Sequence, residues 1–408
     1  MRTGPFPTGP KSPGRPLVRP LHHLALLGLL LLPNLAWAQR RGAFEYPPAP
    51  RADVIEDLHG TKVADPFRPL EDDNAAATKA WVEAENKITF AYLEGIAARG
   101  PLKERLTKLW NYEKFTTPRR EGKQYFYSYN TGLQNQSVLF VANSLAEAGR
   151  VLIDPNTLSA DGTVALGGTS VSDDGRFVAY SVADGGSDWQ TWRVRDVATG
   201  RDLDDLVKWS KFSGAAWTKD GKGFYYARFP EPQPGADLKG SNYFQKLYYH
   251  ELGKPQLGDR LVFENPSEKN WMFQATVTDD GRYLVITVRK SSAPKVKVYY
   301  QDLSAPAMRP FELVGSFDAK YQFIDNVGPW FYFETDKDAP LGRVIAINVN
   351  QPAPESWRTI VAESTSALQN ANMVGDRLIA TYLQDARSLV RVFDLDGWAL
   401  RDVPLPGL

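Results

Sequence analysis

The strongest constraint on this chain is a repeat. Six times a glycine in a tight turn precedes a short aromatic or apolar run. These are Gly122 before Gln124–Tyr127, Asp174-Gly175 before Phe177–Tyr180, Asp220-Gly221 before Phe224–Tyr226, Asp280-Gly281 before Tyr283–Ile286, Gly328 before Trp330–Phe333, and Gly375 before Leu378–Tyr382. Successive glycines stand 53, 46, 60, 47 and 47 residues apart. Glycine supplies the positive φ that hairpin turns require. Each unit continues into a second strand ending near an acid, as in Leu247–Glu251, Val298–Asp302 and Val390–Asp394. A further short strand such as Leu261–Phe263 often follows. Four-stranded units at this period are propeller blades. The runs are apolar at both parities, as expected when neighbouring blades cover both faces. A β-sandwich would not repeat in this way. The expected fold is mainly β, an incomplete β-propeller of about six blades over residues 114–408. A strand near Val403-Pro404-Leu405 is read as the only trace of a seventh blade.

Residues 39–113 have a different texture. Ala43 to Pro69 is Pro-rich and reads as an extended arm. Asp73 or Asn74 is a candidate N-cap for a helix running to about Ile96, with Trp81, Ile88, Tyr92 and Ile96 on one stripe. Gly100-Pro101 should break it, and a second helix should run from Leu102 to about Tyr112. An arm and two helices cannot enclose a core alone, so they must pack on something else.

The first 38 residues are read as a signal peptide. Arg2, Lys11, Arg15 and Arg19 precede an apolar run from Leu24, and Ala36-Trp37-Ala38 is a small-x-small cleavage site. The apolar stretch, about 14 residues to Trp37, is short for a span, which needs ~20. The expected product begins at Gln39, is periplasmic or secreted, and has no membrane attachment. Over the whole chain 48 basic residues balance 48 acidic ones, and removing the four leader bases leaves a net charge of −4. That balance argues against nucleic acid as a partner. With 43% hydrophobic and 12% aromatic residues, the chain can fill a large core.

Catalytic chemistry is hard to find. There is no cysteine, which excludes thiol nucleophiles, disulfides and thiolate metal sites. No G-x-S-x-G elbow occurs. Gly185-Gly186-Ser187-Asp188 and Gly240-Ser241-Asn242 lack the second glycine and fall in loops between strands. Only His59 and His250 remain after the leader. His250 sits in an apolar strand beside Tyr248 and Tyr249, a packed or hydrogen-bonded position rather than a base for a serine. The pairs Asp173-Asp174, Asp204-Asp205 and Asp279-Asp280 are read as turn residues accepting backbone hydrogen bonds. No catalytic, cofactor-binding or metal-binding residue is therefore expected, and no cofactor.

Several stretches together resemble the prolyl oligopeptidase family of serine peptidases. They are Asp57-Leu58-His59-Gly60, Asp65-Pro66-Phe67-Arg68-Pro69-Leu70-Glu71-Asp72, Trp81-Val82-Glu83-Ala84-Glu85-Asn86, Asn130-Thr131-Gly132-Leu133-Gln134-Asn135-Gln136, Gly186-Ser187-Asp188-Trp189 and Lys246-Leu247-Tyr248-Tyr249-His250. The likeness covers roughly residues 46–400. It implies a seven-bladed propeller that caps a C-terminal α/β-hydrolase domain and limits substrates to short, proline-containing peptides cleaved after proline. It also implies that residues 39–113 pack on that hydrolase domain, which carries the triad and is not in these 408 residues. On this reading the chain alone is inactive, its partners being short peptides and the hydrolase domain. Residues near Val171 are candidates for substrate contact. The other reading is a stand-alone exported propeller that binds peptides.

Overall fold

The structure, a computed structural model, describes residues 44–233, 240–305 and 307–407. The expected leader, residues 1–38, lies outside the described residues. Two compact units are present, Met1–Lys108 and Leu109–Leu408.

In the first unit, β1 (Ile55–Leu58) and β2 (Thr61–Ala64) form a hairpin. Its turn is His59-Gly60, both left-handed, and Gly60 N–H donates to Asp57 Oδ1 at 2.7 Å. Arg68 holds the chain after the hairpin by pairing with Asp65 at 2.6 Å and Glu56 at 2.8 Å. Helix α1 spans Ala76–Glu94. Its N-cap is Ala75, without a side-chain cap, rather than Asp73 or Asn74. Asp72 instead accepts from Asn74 N–H, one turn too early to cap the helix. The helix ends at Gly95, before the expected break. Gly100-Pro101 lies in the first turn of α2 (Arg99–Trp110). Proline is tolerated there because first-turn N–H groups have no intrahelical partner. Thr78 is the only buried residue of α1, and α2 has none. Val82, Phe90, Tyr92, Leu102 and Leu106 are exposed apolar side chains.

The second unit is built from six antiparallel sheets in chain order. In sheet 1, β3 (Lys114–Phe115) and β4 (Arg119–Glu121) both pair with β5 (Gln124–Asn130), followed by β6 (Val138–Ala142) and β7 (Arg150–Ile153). Sheet 2 holds β8 (Ala165–Val171), β9 (Phe177–Ala183), β10 (Gln190–Asp196) and β11 (Asp202–Ser210). Sheet 3 holds β12 (Ala216–Trp217), β13 (Gly223–Arg228), β14 (Lys246–Glu251) and β15 (Arg260–Phe263). Sheet 4 holds β16 (Trp271–Val277), β17 (Tyr283–Lys290), β18 (Val296–Asp302) and β19 (Phe311–Val314). Sheet 5 holds β20 (Tyr321–Val327), β21 (Trp330–Thr335), β22 (Arg343–Asn348) and β23 (Arg358–Val361). Sheet 6 holds β24 (Ala367–Val374), β25 (Arg377–Gln384), β26 (Arg387–Asp394) and β27 (Ala399–Val403). These are six propeller blades. The strand expected to open a seventh is β27, and it pairs with β26 through Val390 and Val403. The free edge of β26 takes it as the fourth strand of blade 6.

The double-parity apolar pattern has a direct structural cause. Phe224 and Tyr226 of β13 pack toward blade 2 with Trp192 and Val207, whereas Tyr225 and Ala227 pack toward blade 4 with Phe273 and Leu284. Leu284 and Ile286 of β17 likewise face blade 3, and Tyr283 and Val285 face blade 5. Similar clusters join blades 1 and 2 and blades 5 and 6. Each fully buried side chain of this size contributes about 1.5–3 kcal/mol. Among the described residues no buried apolar cluster joins blade 6 to blade 1. The outer face of blade 1 is a ladder of aromatic rings, with Phe115 stacked on Tyr129 at 4.5 Å and Tyr127 on Phe140 at 5.6 Å.

Asp204-Asp205 departs from the turn reading. Both lie inside β11, and Asp205 is only 4% exposed. It shares the inward parity of Val207, so the pleat drives its carboxylate into the interior.

Candidate functional site

The antiparallel order gives each blade two ends. At one end the first strand turns into the second, and the Gly-containing turns of the repeat lie there. At the other end the second strand turns into the third, and each fourth strand crosses to the next blade.

The turn end is built on glycine and charge. Gly122, Gly175, Gly221, Gly281, Gly328 and Gly375 all have φ between 55° and 74°. At Gly122 the approach is close as well, since a Cβ there would lie 2.4 Å from the carbonyl oxygen of Asp174 in the next blade. The turns of blades 2 to 4 share one construction. Ser172, Thr218 and Thr278 each donate a hydroxyl to Asp174, Asp220 and Asp280 at 2.7–2.8 Å. The same aspartates accept the N–H groups of Arg176, Lys222 and Arg282. Asp174 and Asp280 thus hold turns, as the sequence indicates. Lys219 pairs with Asp173 of blade 2 and with Asp279 of blade 4. Burial raises the carboxyl pKa of Glu121 and of Asp325, and the neighbouring Asp279 adds to it in both cases. Val171 opens here, on a cavity of about 610 Å³ that it shares with Arg119, Glu121, Asp173, Lys219 and Asp279.

The hairpin end is built on aromatic side chains and strained backbone. Seven non-glycine residues with positive φ lie there: Trp209 (63°), Phe212 (55°), Phe244 (59°), Ser291 (50°), Asp338 (51°), Asp385 (49°) and Ala386 (60°). A left-handed L-residue costs about 1–2 kcal/mol, and a bulky one is rare. Such strain persists where the surroundings enforce it. The enforcement is visible. Phe229 N–H donates to Trp209 O at 3.0 Å, and Phe244 N–H donates to Lys269 O at 2.8 Å. Buried Gln245 donates to Lys211 O at 3.0 Å and accepts from Phe273 N–H at 2.6 Å, tying blades 2 and 4 to the blade 3 loop. Ser210 accepts from Trp192 Nε1 and donates to Ala227 O.

These bonds present an aromatic surface. Trp189 meets Trp209 edge-on at 5.6 Å and Phe229 at 6.3 Å. Phe212 and Phe244 are 51% and 42% exposed, so their rings face solvent at this rim. Lys269 lies over Tyr243 at 4.4 Å and Lys211 over Trp189 at 3.8 Å. Beside them a cavity of about 1010 Å³ opens on blade 2, walled by Tyr180, Trp189, Trp209, Val182 and Arg193. Flat rings with cationic borders suit extended peptide, whose side chains stack and whose termini carry charge.

The residues weighed for nucleophilic chemistry are dispersed. Ser187 caps its own loop, accepting from Trp189 N–H at 3.1 Å. Ser241 accepts from Tyr243 N–H through its carbonyl. His250 is fully buried in β14, and both ring nitrogens meet carboxylates: Nε2 with Asp205 at 2.9 Å, Nδ1 with Asp259 at 2.7 Å. Both partners are acceptors, so both nitrogens carry protons and the ring is a cation. Burial opposes that charge, but the bonds to Asp205 and Asp259 outweigh it and raise the pKa to about 9. Asp205 also accepts Gly253 N–H, and Tyr226 donates to Asp259. This group fastens β11 of blade 2 to blade 3. Gln256 reinforces it by bonding both N–H and C=O of Lys208. The sequence shows the histidine but not its partner Asp205, which lies 45 residues away. Lys211 and the left-handed aromatics carry no sequence signal either.

The fold is a six-bladed β-propeller with an aromatic rim bordered by cations. Comparison with known proteins makes the assignment specific. The family model described as the prolyl oligopeptidase N-terminal beta-propeller domain matches residues 47–408. This chain belongs to that family. It is 36% identical over 370 residues to the prolyl endopeptidase of Elizabethkingia meningoseptica, covering 91% of this chain and 52% of the relative. A solved prolyl endopeptidase structure is 39% identical with a TM-score of 0.68, covering 89% of this chain and 52% of that one. Prolyl oligopeptidase B of Galerina marginata, solved with a 35-residue hydrolysis and macrocyclisation substrate, is 28% identical with a TM-score of 0.77, covering 88% and 54%. The chain spans about half the length of the relatives it matches.

Proposed function

We propose that this chain is the propeller part of a serine endopeptidase that cleaves short peptides after proline, and that its hairpin end is the face that meets the peptide. The aromatic, backbone-strained rim from Trp189 to Phe244 is the observation that supports this reading. Proline presents a flat apolar ring with no N–H, which packs on indole and phenyl faces without leaving a donor unpaired. The hydrolytic serine, histidine and acid are supplied by an α/β-hydrolase domain, and the propeller limits access to short chains. The protein is exported, with Gln39 as the first residue after cleavage of the leader.

The test uses the 408-residue chain. A proline-containing hexapeptide should quench tryptophan emission saturably. A Gly-Pro chromogenic amide should not be cleaved. Hydrolysis of that amide, blocked by a serine-reactive phosphonate, would overturn the division of labour, and absence of any peptide binding would overturn the assignment of the rim. N-terminal sequencing of exported protein should read Gln39 first.

A further inference from the structure

Lys211 follows β11 at the hairpin end, between left-handed Trp209 and left-handed Phe212. It is only 7% exposed, which is rare for lysine without a carboxylate partner. Among the described residues its amine makes no hydrogen bond and no ion pair. Its single recorded partner is the face of Trp189, 3.8 Å from Nζ to ring centroid. The indole face attracts the positive charge but accepts none of the three N–H bonds in the way a carboxylate does. Burial lowers the pKa of the amine, and Asp188, whose field opposes this, lies beyond ion-pair distance. Nζ is nevertheless not one of the buried polar atoms sealed from solvent. A buried ammonium without an acceptor, still open at its tip, is a site with one component missing.

Other cations nearby are committed. Arg195 is held by Asp202 at 2.7 Å and by Leu152 O at 2.7 Å. Arg193 lines the same cavity as Trp189 and, among the described residues, forms no ion pair.

We propose that Lys211 and Trp189 form a carboxylate anchor for bound peptide: the ammonium takes the anion and the indole packs against the adjoining side chain. This rests on the assignment of the rim as the peptide face and sharpens it. The carboxylate is either the C-terminal one or that of an Asp or Glu side chain.

Three forms of one proline-containing hexapeptide separate these cases by titration of tryptophan emission in the full chain: the free acid, the C-terminal amide, and the amide with one Glu. For a C-terminal anchor the free acid binds about tenfold tighter than the neutral amide, as a charge-assisted bond warrants. For a side-chain anchor the Glu-containing amide does so. In Lys211→Met, which keeps the buried stem, the gain falls within about twofold. Lys211→Arg restores part of it. A second readout needs no variant. In reductively ¹³C-methylated chain, the titration midpoint of the Lys211 resonance rises when the carboxylate peptide binds and stays put with the amide. Equal affinity for all three peptides, or a preference that survives in Lys211→Met, would overturn the anchor while leaving the rim assignment intact. Failure of all three to bind would overturn both.

Discussion

The two ends of the blades solve the same backbone problem differently. Both need residues with positive φ to reverse the chain. At the turn end that residue is glycine in all six blades. At the hairpin end glycines such as Gly185, Gly186 and Gly342 share that role with Trp209, Phe212, Phe244, Ser291, Asp338, Asp385 and Ala386. Glycine adopts this conformation freely, so the turn end carries no strain for it. The hairpin end keeps side chains at a cost of about 1–2 kcal/mol each. One end is optimised for packing neighbouring turns, the other for what its side chains can meet.

The largest expected effect comes from His250. Replacing it with glutamine leaves Asp205 and Asp259 buried with one shared cation gone, and removing one partner of such a group costs about 3–5 kcal/mol. Chemical denaturation should show this as a lower midpoint. Wild-type pH dependence follows from the same geometry. The folded pKa of His250, about 9, lies above the ordinary imidazole value of 6.5, so its contribution is complete below 6.5 and is lost as pH rises through 9. Asp205 is shifted downward, with burial opposed by its bonds to His250 and Gly253, so its contribution is present above 3.8 and is lost as pH falls through its folded value. The melting temperature should therefore fall on the alkaline side in wild type. It should stay flat there in His250→Gln.

Next in size is Gly122→Ala. It adds a left-handed penalty and a contact 2.4 Å from Asp174 O, for a loss of about 2–4 kcal/mol. The mirror experiment at the other end has the smallest effect on stability and the opposite sign. Phe212→Gly should leave the melting point unchanged or raise it by the equivalent of about 1 kcal/mol, because a half-exposed ring yields its strain. It should weaken peptide binding by about tenfold in a fluorescence titration. A strong loss of stability in Phe212→Gly would erase the contrast between the ends.

The architecture was legible because its causes are local and repeated. Glycine marks each turn, and strands such as Tyr283–Ile286 are apolar at both parities because a blade has two neighbours. What escaped the sequence depends on distance along the chain or on backbone angles. Asp205 looks like a turn residue until β11 is placed and its parity faces His250. The strand near Val403 looks like a new blade until β26 offers it an edge. Trp209 and Phe212 give no sign of a left-handed backbone, because the surrounding bonds impose it. Lys211 reads as one lysine among many until its burial and missing partner are seen. Val171 is the reverse case: the family resemblance pointed to it, and it opens on the charged turn end.

That placement allows a direct test of the central claim. A proline-containing hexapeptide with a photoreactive side chain, cross-linked to the full chain and mapped by mass spectrometry, reports which end it occupies. Labels at Trp189, Phe212 and Phe244 are predicted. Labels confined to Arg119, Val171 and Lys219 would place the peptide at the turn end and contradict the account.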